Sequence, residues 1–273
     1  QLLKSRPAET PDSTLNIRKR TMNKKAILCA LLAFAAGTIV NAQTFKGEKY
    51  SAKGTIDGRI LEIKLGGRQL FEQETATGAF YEKDADGKQI LKRAFLITDW
   101  ENSVKSEKKD GKLKIFKHGT LNESNSKKQI CEFDLEKEFS ADRITVKYKF
   151  IQTCDLSYDR QIFGSSLRAK TADLAGISVK AVDNGKTTYT TISETAPEKN
   201  LIGKGQSIRL STGDASMTIS VPGNENLAMT DGRTWEDDHV YVGISAKPAD
   251  GKTGTRVFPK GTVWEWSFTI TFE

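Results

Sequence analysis

From Phe45 to the C-terminal Glu273 the chain alternates apolar and polar residues, with turn-forming residues breaking the alternation about every 8 to 12 positions. Successive side chains of a strand point to opposite faces, so a period of two places one face on a core and the other in water. Arg59–Leu65 shows the pattern and ends at Gly66-Gly67. Val104–Lys108 and Lys112–Phe116 flank Asp110-Gly111, a pair that accepts the positive φ angles of a tight hairpin turn. Ile177–Val182 and Thr187–Ile192 form a second hairpin about Asp183-Asn184-Gly185, and Ser207–Leu210 with Ser216–Val221 a third about Thr212-Gly213-Asp214. Helical periodicity is confined to Leu167–Ala175. About fifteen candidate strands follow one another without a long linker. The fold class is therefore all-β, a single large two-layer antiparallel β-sandwich of supersandwich or jelly-roll type over residues 43–273. No motif recurs as a propeller would require.

The alternation starts only after a segment of different character. Residues 22–42 have the grammar of a secretory signal peptide: Lys24 and Lys25, an apolar Ala26–Val40, and small residues at Val40-Asn41-Ala42. Residues 1–21 are polar and basic and read as a non-native upstream extension. Cleavage before Gln43 would deliver a periplasmic or secreted protein. Cys29 lies too far from the cleavage point to be a lipid-attachment residue, and no later apolar run reaches the roughly 20 residues of a membrane span. The leader also distorts the charge. The whole chain carries 42 Lys+Arg against 35 Asp+Glu, but residues 43–273 hold 35 and 33, a net of +2. Without a long basic run, nucleic-acid binding is not expected.

Two cysteines remain, Cys131 and Cys154. Cys131, Phe133, Leu135 and Phe139 share one strand face, and Ile144, Val146, Tyr148, Phe150 and Cys154 share another. A turn centred near Asp142-Arg143 would set the two thiols opposite each other. An oxidising compartment then favours a cross-strand disulfide over two buried thiols.

Chemistry is sparse. With only His118 and His239, multi-histidine zinc sites and histidine-paired catalysis are disfavoured. His118, between Lys117 and Gly119, reads as a solvated residue at a strand end. Hydrolase-elbow, zinc-protease and nucleotide motifs are absent. Asp84-Ala85-Asp86-Gly87 lacks the acid that would complete a calcium loop and reads as a hairpin turn. The densest polar cluster is Asp231–His239. In an extended strand Asp231, Arg233 and Trp235 would share a face, and with Glu236 they combine an aromatic plane and bidentate groups suited to a sugar ring. Glu236, Asp237 and Asp238 could instead bind calcium, or the cluster could be a charged loop whose Trp235 covers the core. Trp264 and Trp266 continue the face of Phe268, Ile270 and Phe272 and read as core, whereas Trp100 stands among acids and is a second candidate for sugar contact.

The Asn41-Ala42-Gln43 cleavage region, the lysine-rich strands, and the run from Ala175–Val179 through Asp231-Gly232-Arg233 to Lys260–Trp264 resemble secreted β-sandwich proteins of glycan-degrading Bacteroidetes, of the galactose-mutarotase-like kind. The resemblance implies a polysaccharide or oligosaccharide partner, and a large sandwich without a recognisable acid-base or metal set favours a non-catalytic binding or accessory role. The alternatives are a polysaccharide lyase or glycoside hydrolase, and a structural or protein-interaction domain.

Overall fold

The computed structural model describes residues 42–273 apart from 56–57, 84, 88, 97–103, 123–128, 159, 224 and 247–255. All of the leader but Ala42, and Trp100, therefore lie outside the described residues. The chain opens with β1 (Ala42–Lys46), β2 (Tyr50–Thr55), β3 (Ile60–Leu65) and β4 (Arg68–Phe71). Next come β5 (Gln73–Lys83), β6 (Gln89–Leu96), β7 (Val104–Lys109), β8 (Lys112–Asn122), β9 (Gln129–Phe139) and β10 (Arg143–Gln152). β11 (Leu156–Tyr158) and β12 (Arg160–Lys170) lead to a single helical turn, α1 (Thr171–Leu174). β13 (Ser178–Asp183), β14 (Lys186–Thr191), β15 (Leu201–Gly205), β16 (Ser207–Thr212) and β17 (Ala215–Ser220) follow. The chain closes with β18 (Glu225–Asp231), β19 (His239–Ala246), β20 (Arg256–Phe258) and β21 (Val263–Phe272).

Every pairing is antiparallel. A nine-stranded sheet runs β14-β13-β16-β17-β21-β10-β9-β8-β7, and a six-stranded sheet runs β15-β18-β19-β12-β5-β6. The two are the layers of an all-β sandwich, as the alternation requires. Smaller sheets, β1-β2-β3-β4 and β11-β20, extend it. Asp110-Gly111 and Asn184-Gly185 make the expected hairpin turns, all four residues at positive φ. Of the helical stretch at Leu167–Ala175 only the α1 turn is helical, because Leu167–Lys170 continue β12 between β5 and β19.

Aromatic residues bind the layers together. Trp264 and Trp266 are buried, as their shared face implied. Phe150 of β10 packs 5.2 Å from Phe163 of β12 and 5.0 Å from Trp266, and Tyr148 lies 4.9 Å from Trp266. Trp266 Nε1 donates to Ser165 Oγ at 2.8 Å and Trp264 Nε1 to Gln152 Oε1 at 2.8 Å, so neither indole is buried unsatisfied. Tyr50 of β2 stacks on Phe272 at 3.8 Å and donates to Ser140 O, fastening the four-stranded sheet.

One element of the core is ionic. Lys137 occupies an inward position of β9, between Leu135 and Phe139, and is wholly buried. Its Nζ meets Glu74 Oε2 of β5 in the opposite layer and donates to Gly58 O at 2.7 Å. Tyr148 donates its hydroxyl to Glu74 Oε1 at 2.8 Å. Burial first, and the Glu74 carboxylate beside it, push the Tyr148 phenol well above its ordinary range. Both carboxylate oxygens thus have donors, the condition for keeping a charge in a core.

Candidate functional site

A groove of about 700 Å³ opens on the outer face of the nine-stranded sheet. Its floor comes from β7, β8, β9, β10 and β21, and Pro222 and Glu225 form one wall. Cross-strand register builds the floor in two rows. Phe116, Glu136, Lys147 and Ser267 stand side by side across β8, β9, β10 and β21, with Lys105 of β7 beyond Phe116. His118, Asp134, Lys149 and Glu265 form the next row. These are the solvent-facing positions of strands whose alternate residues fill the core.

Acidic groups face basic ones along both rows. His118 Nδ1 lies 2.9 Å from Asp134 Oδ1, Lys149 Nζ 3.4 Å from Glu265 Oε1, and Lys147 Nζ 3.9 Å from Glu136 Oε1. All three pairs are solvent-exposed, and such pairs contribute only about 0.2–1 kcal/mol each. They are therefore easily re-partnered by a ligand offering hydroxyl groups. Phe116 adds an apolar surface, the residue being 38 % exposed among charged neighbours. One exposed aromatic with planar carboxylates and ammonium donors around it is the combination that a sugar ring uses, apolar C–H face against the ring and hydroxyls toward the charges.

His118 differs from its sequence reading. It sits inside an eleven-residue strand, not at a strand end, because β8 runs past Gly119 to Asn122. Its partner Asp134 is 16 residues away in sequence.

The Asp231 cluster also differs in geometry. β18 ends at Asp231, and Gly232–Trp235 form a 3-10 turn instead of an extended strand, so the expected shared face does not form. The Asp231 side chain accepts from the Arg233 N–H at 3.0 Å, capping this turn. Its carboxylate also takes Arg233 Nε at 3.0 Å and Nη2 at 2.7 Å. Arg233 also donates from Nη1 to Glu194 O and from Nη2 to Ser193 O. Asp231 is buried, and this raises its carboxyl, but the Arg233 hydrogen bonds outweigh burial and hold it below its ordinary range. Both groups are occupied in pinning the Ser193-Glu194 segment. Trp235 is half-exposed and Glu236 exposed at positive φ, and none of the four lines the groove.

Asp237 turns toward the protein: Oδ1 lies 2.5 Å from His239 Nδ1, and Oδ2 accepts from Tyr241. His239 Nε2 lies 3.1 Å from Glu72, which also pairs with Arg168. The acids expected as calcium ligands are thus not assembled around a common point. Among the described residues no group of three or more His, Cys, Asp or Glu is arranged for a metal ion.

Cys131 and Cys154 are free thiols, so the expected disulfide is not formed in this structure. The turn is centred one residue earlier than expected: Ser140 N donates to Arg143 O, and Phe139 faces Ile144. The register consequently sets Gln152, not Cys154, opposite Cys131. Cys154 lies two residues beyond the end of β10, in a bend. Burial, helped by Cys154, pushes the Cys131 thiol up to about 12.

The fold and groove define a large antiparallel sandwich with an open polar depression on its widest sheet. Solved structures with this architecture include a candidate aldose 1-epimerase from Escherichia coli K12, at 9% identity and a TM-score of 0.50, aligned over 85% of this chain and 99% of the other. The Slr1438 protein from Synechocystis sp. PCC 6803 aligns with a TM-score of 0.51 at 7% identity, over 86% and 96% of the two chains. A galactose mutarotase-like protein from Clostridium acetobutylicum gives 0.49 at 11% identity, over 84% and 94%. At these identities the likeness concerns the fold alone. No family model matches the chain, and neither does any curated protein sequence.

Proposed function

We propose that the protein binds carbohydrate, as an exported non-catalytic binding or accessory component of a glycan-utilisation system. The groove on the nine-stranded sheet receives an oligosaccharide or polysaccharide. The observation that carries this reading is the exposed Phe116 ring set among rows of weakly paired carboxylates and ammonium groups. Its agreement with a fold found in a protein described as a candidate aldose 1-epimerase supports it. Export rests on the leader at residues 22–42 and would carry Cys131 and Cys154 into an oxidising compartment, where they cross-link.

One observation favours a second reading. An imidazole held by a carboxylate, His118 on Asp134, stands in one row with Lys149, two strands away, and Glu265, a set able to move protons. On this reading the protein is a polysaccharide lyase or glycoside hydrolase. Calorimetric titration of a panel of oligosaccharides, run beside reducing-sugar and unsaturated-uronate assays, separates the two. Saturable binding without turnover supports the binder. Turnover that disappears in His118→Gln establishes the enzyme, and absence of both rejects a carbohydrate role.

A further inference from the structure

Glu225 opens β18 and is only 8 % exposed, yet it stands in the groove wall beside Pro222. Leu227, Met229 and Asp231 share its inward face, so the sequence places a carboxylate where alternation calls for an apolar side chain. One oxygen is used: Oε1 accepts the Ser267 backbone N–H at 3.0 Å. That N–H is free to be capped because β17 pairs with β21 only as far as Ser220 opposite Thr269. The other oxygen, Oε2, is buried and accepts from nothing among the described residues. Buried acceptors without donors are rare in folded proteins, since lost hydration is left uncompensated. Two ammonium groups of the groove floor do not supply the donor, Lys147 being turned to Glu136 and Lys149 to Glu265.

We infer that Glu225 is the group with which the groove reads its ligand: it accepts a hydroxyl of the bound ring and selects neutral sugars over anionic ones. The inference rests on the reading of the groove as a sugar site. An ionised carboxylate accepts hydrogen bonds and cannot donate them, so a sugar hydroxyl satisfies Oε2 while a uronate brings a like charge into a poorly solvated wall. Because Oε2 is closed off from solvent, the side chain must turn toward the groove to meet the ligand. Its hold on the Ser267 N–H changes as it does.

D-Galactose, D-glucose and D-galacturonate titrated into the folded protein and into Glu225→Gln test this, with the Ser267 amide followed by NMR in the wild type. Gln matches Glu in shape and keeps an oxygen for Ser267, but presents an amide donor in place of Oε2. The wild type should bind at least one hexose more tightly than galacturonate, and the Ser267 resonance should shift on saturation. Glu225→Gln should lose tenfold or more in hexose affinity, about 1.4 kcal/mol. Unchanged hexose binding by Glu225→Gln, or a stationary Ser267 amide in the saturated wild type, overturns this inference alone. A wild type that binds neither hexose overturns it together with the reading of the groove. A stationary wild-type amide overturns the inference even if the variant does not fold.

Discussion

Replacing Lys137 by Met should be among the most destabilising single changes in the sandwich. The methionine fills the volume, but Glu74 then stays 1 % exposed with only Tyr148 as donor. Breaking one side of a buried pair costs about 3–5 kcal/mol, because the remaining charge is uncompensated. For a domain of 150–250 residues each kcal/mol moves Tm by about 2–4 °C, so Lys137→Met should lower Tm by roughly 6–20 °C. The double variant Lys137→Met/Glu74→Leu removes both charges, leaving Gly58 O without its Lys137 donor and the Tyr148 hydroxyl without its carboxylate acceptor. Neutral orphans cost about 1–3 kcal/mol each, so the double variant should lose much less than the two single losses added together. Urea denaturation of the four proteins gives the cycle. Additivity within about 0.5 kcal/mol, the behaviour of independent sites, would refute the coupling and with it the reading of Lys137 and Glu74 as an inter-layer clamp.

Other expectations follow from the same contacts. Arg233→Gln should destabilise by about 2–5 kcal/mol, since it strips a buried carboxylate of its bidentate partner and frees the Ser193-Glu194 segment, as read from the urea midpoint. The Asp231 carboxyl is held below its ordinary value of about 3.9. Its contribution is therefore complete above that value and is lost as pH falls through the lower folded one. Acid titration of stability below about pH 4 should be shallower in Arg233→Gln than in the wild type, and parallel curves would count against the pair. Cys154, partly exposed, should alkylate well before Cys131, whose thiol burial raises to about 12. Peptide mass mapping of exported, non-reduced protein should find the two linked, and free thiols in such material would reject the cross-link.

The sandwich was legible because its signals are local. Asp110-Gly111 and Asn184-Gly185 dictate hairpins through backbone sterics, and Trp264 through Phe272 show their core face by alternation alone. The groove was not legible, because its members lie on separate strands and each is an ordinary solvent-facing residue of an amphipathic strand. Only register places Phe116 beside Glu136, or Lys149 beside Glu265. At Asp231–His239 the local density has another use in the structure: Asp231, Arg233, Asp237 and His239 bond to one another and to nearby backbone. The clamp did leave a trace: Cys131, Phe133, Leu135 and Phe139 share a face that Lys137 interrupts. A charged residue at that phase of a core strand implies an opposite charge across the core. Which of the many acids answers it depends on how the layers are stacked, and that information is spread over the whole chain.

The central claim is that carbohydrate meets the outer face of the nine-stranded sheet and not the Asp231–Glu236 turn. Phe116→Ala and Trp235→Ala, titrated against the same oligosaccharide with Tm recorded for each, decide between them. One aromatic stack is worth about 0.5–1.5 kcal/mol, so Phe116→Ala should weaken binding by about two- to tenfold at 1.4 kcal/mol per tenfold, while Trp235→Ala leaves affinity unchanged. Loss of affinity in Trp235→Ala with Phe116→Ala unaffected would move the site to the turn and contradict the account.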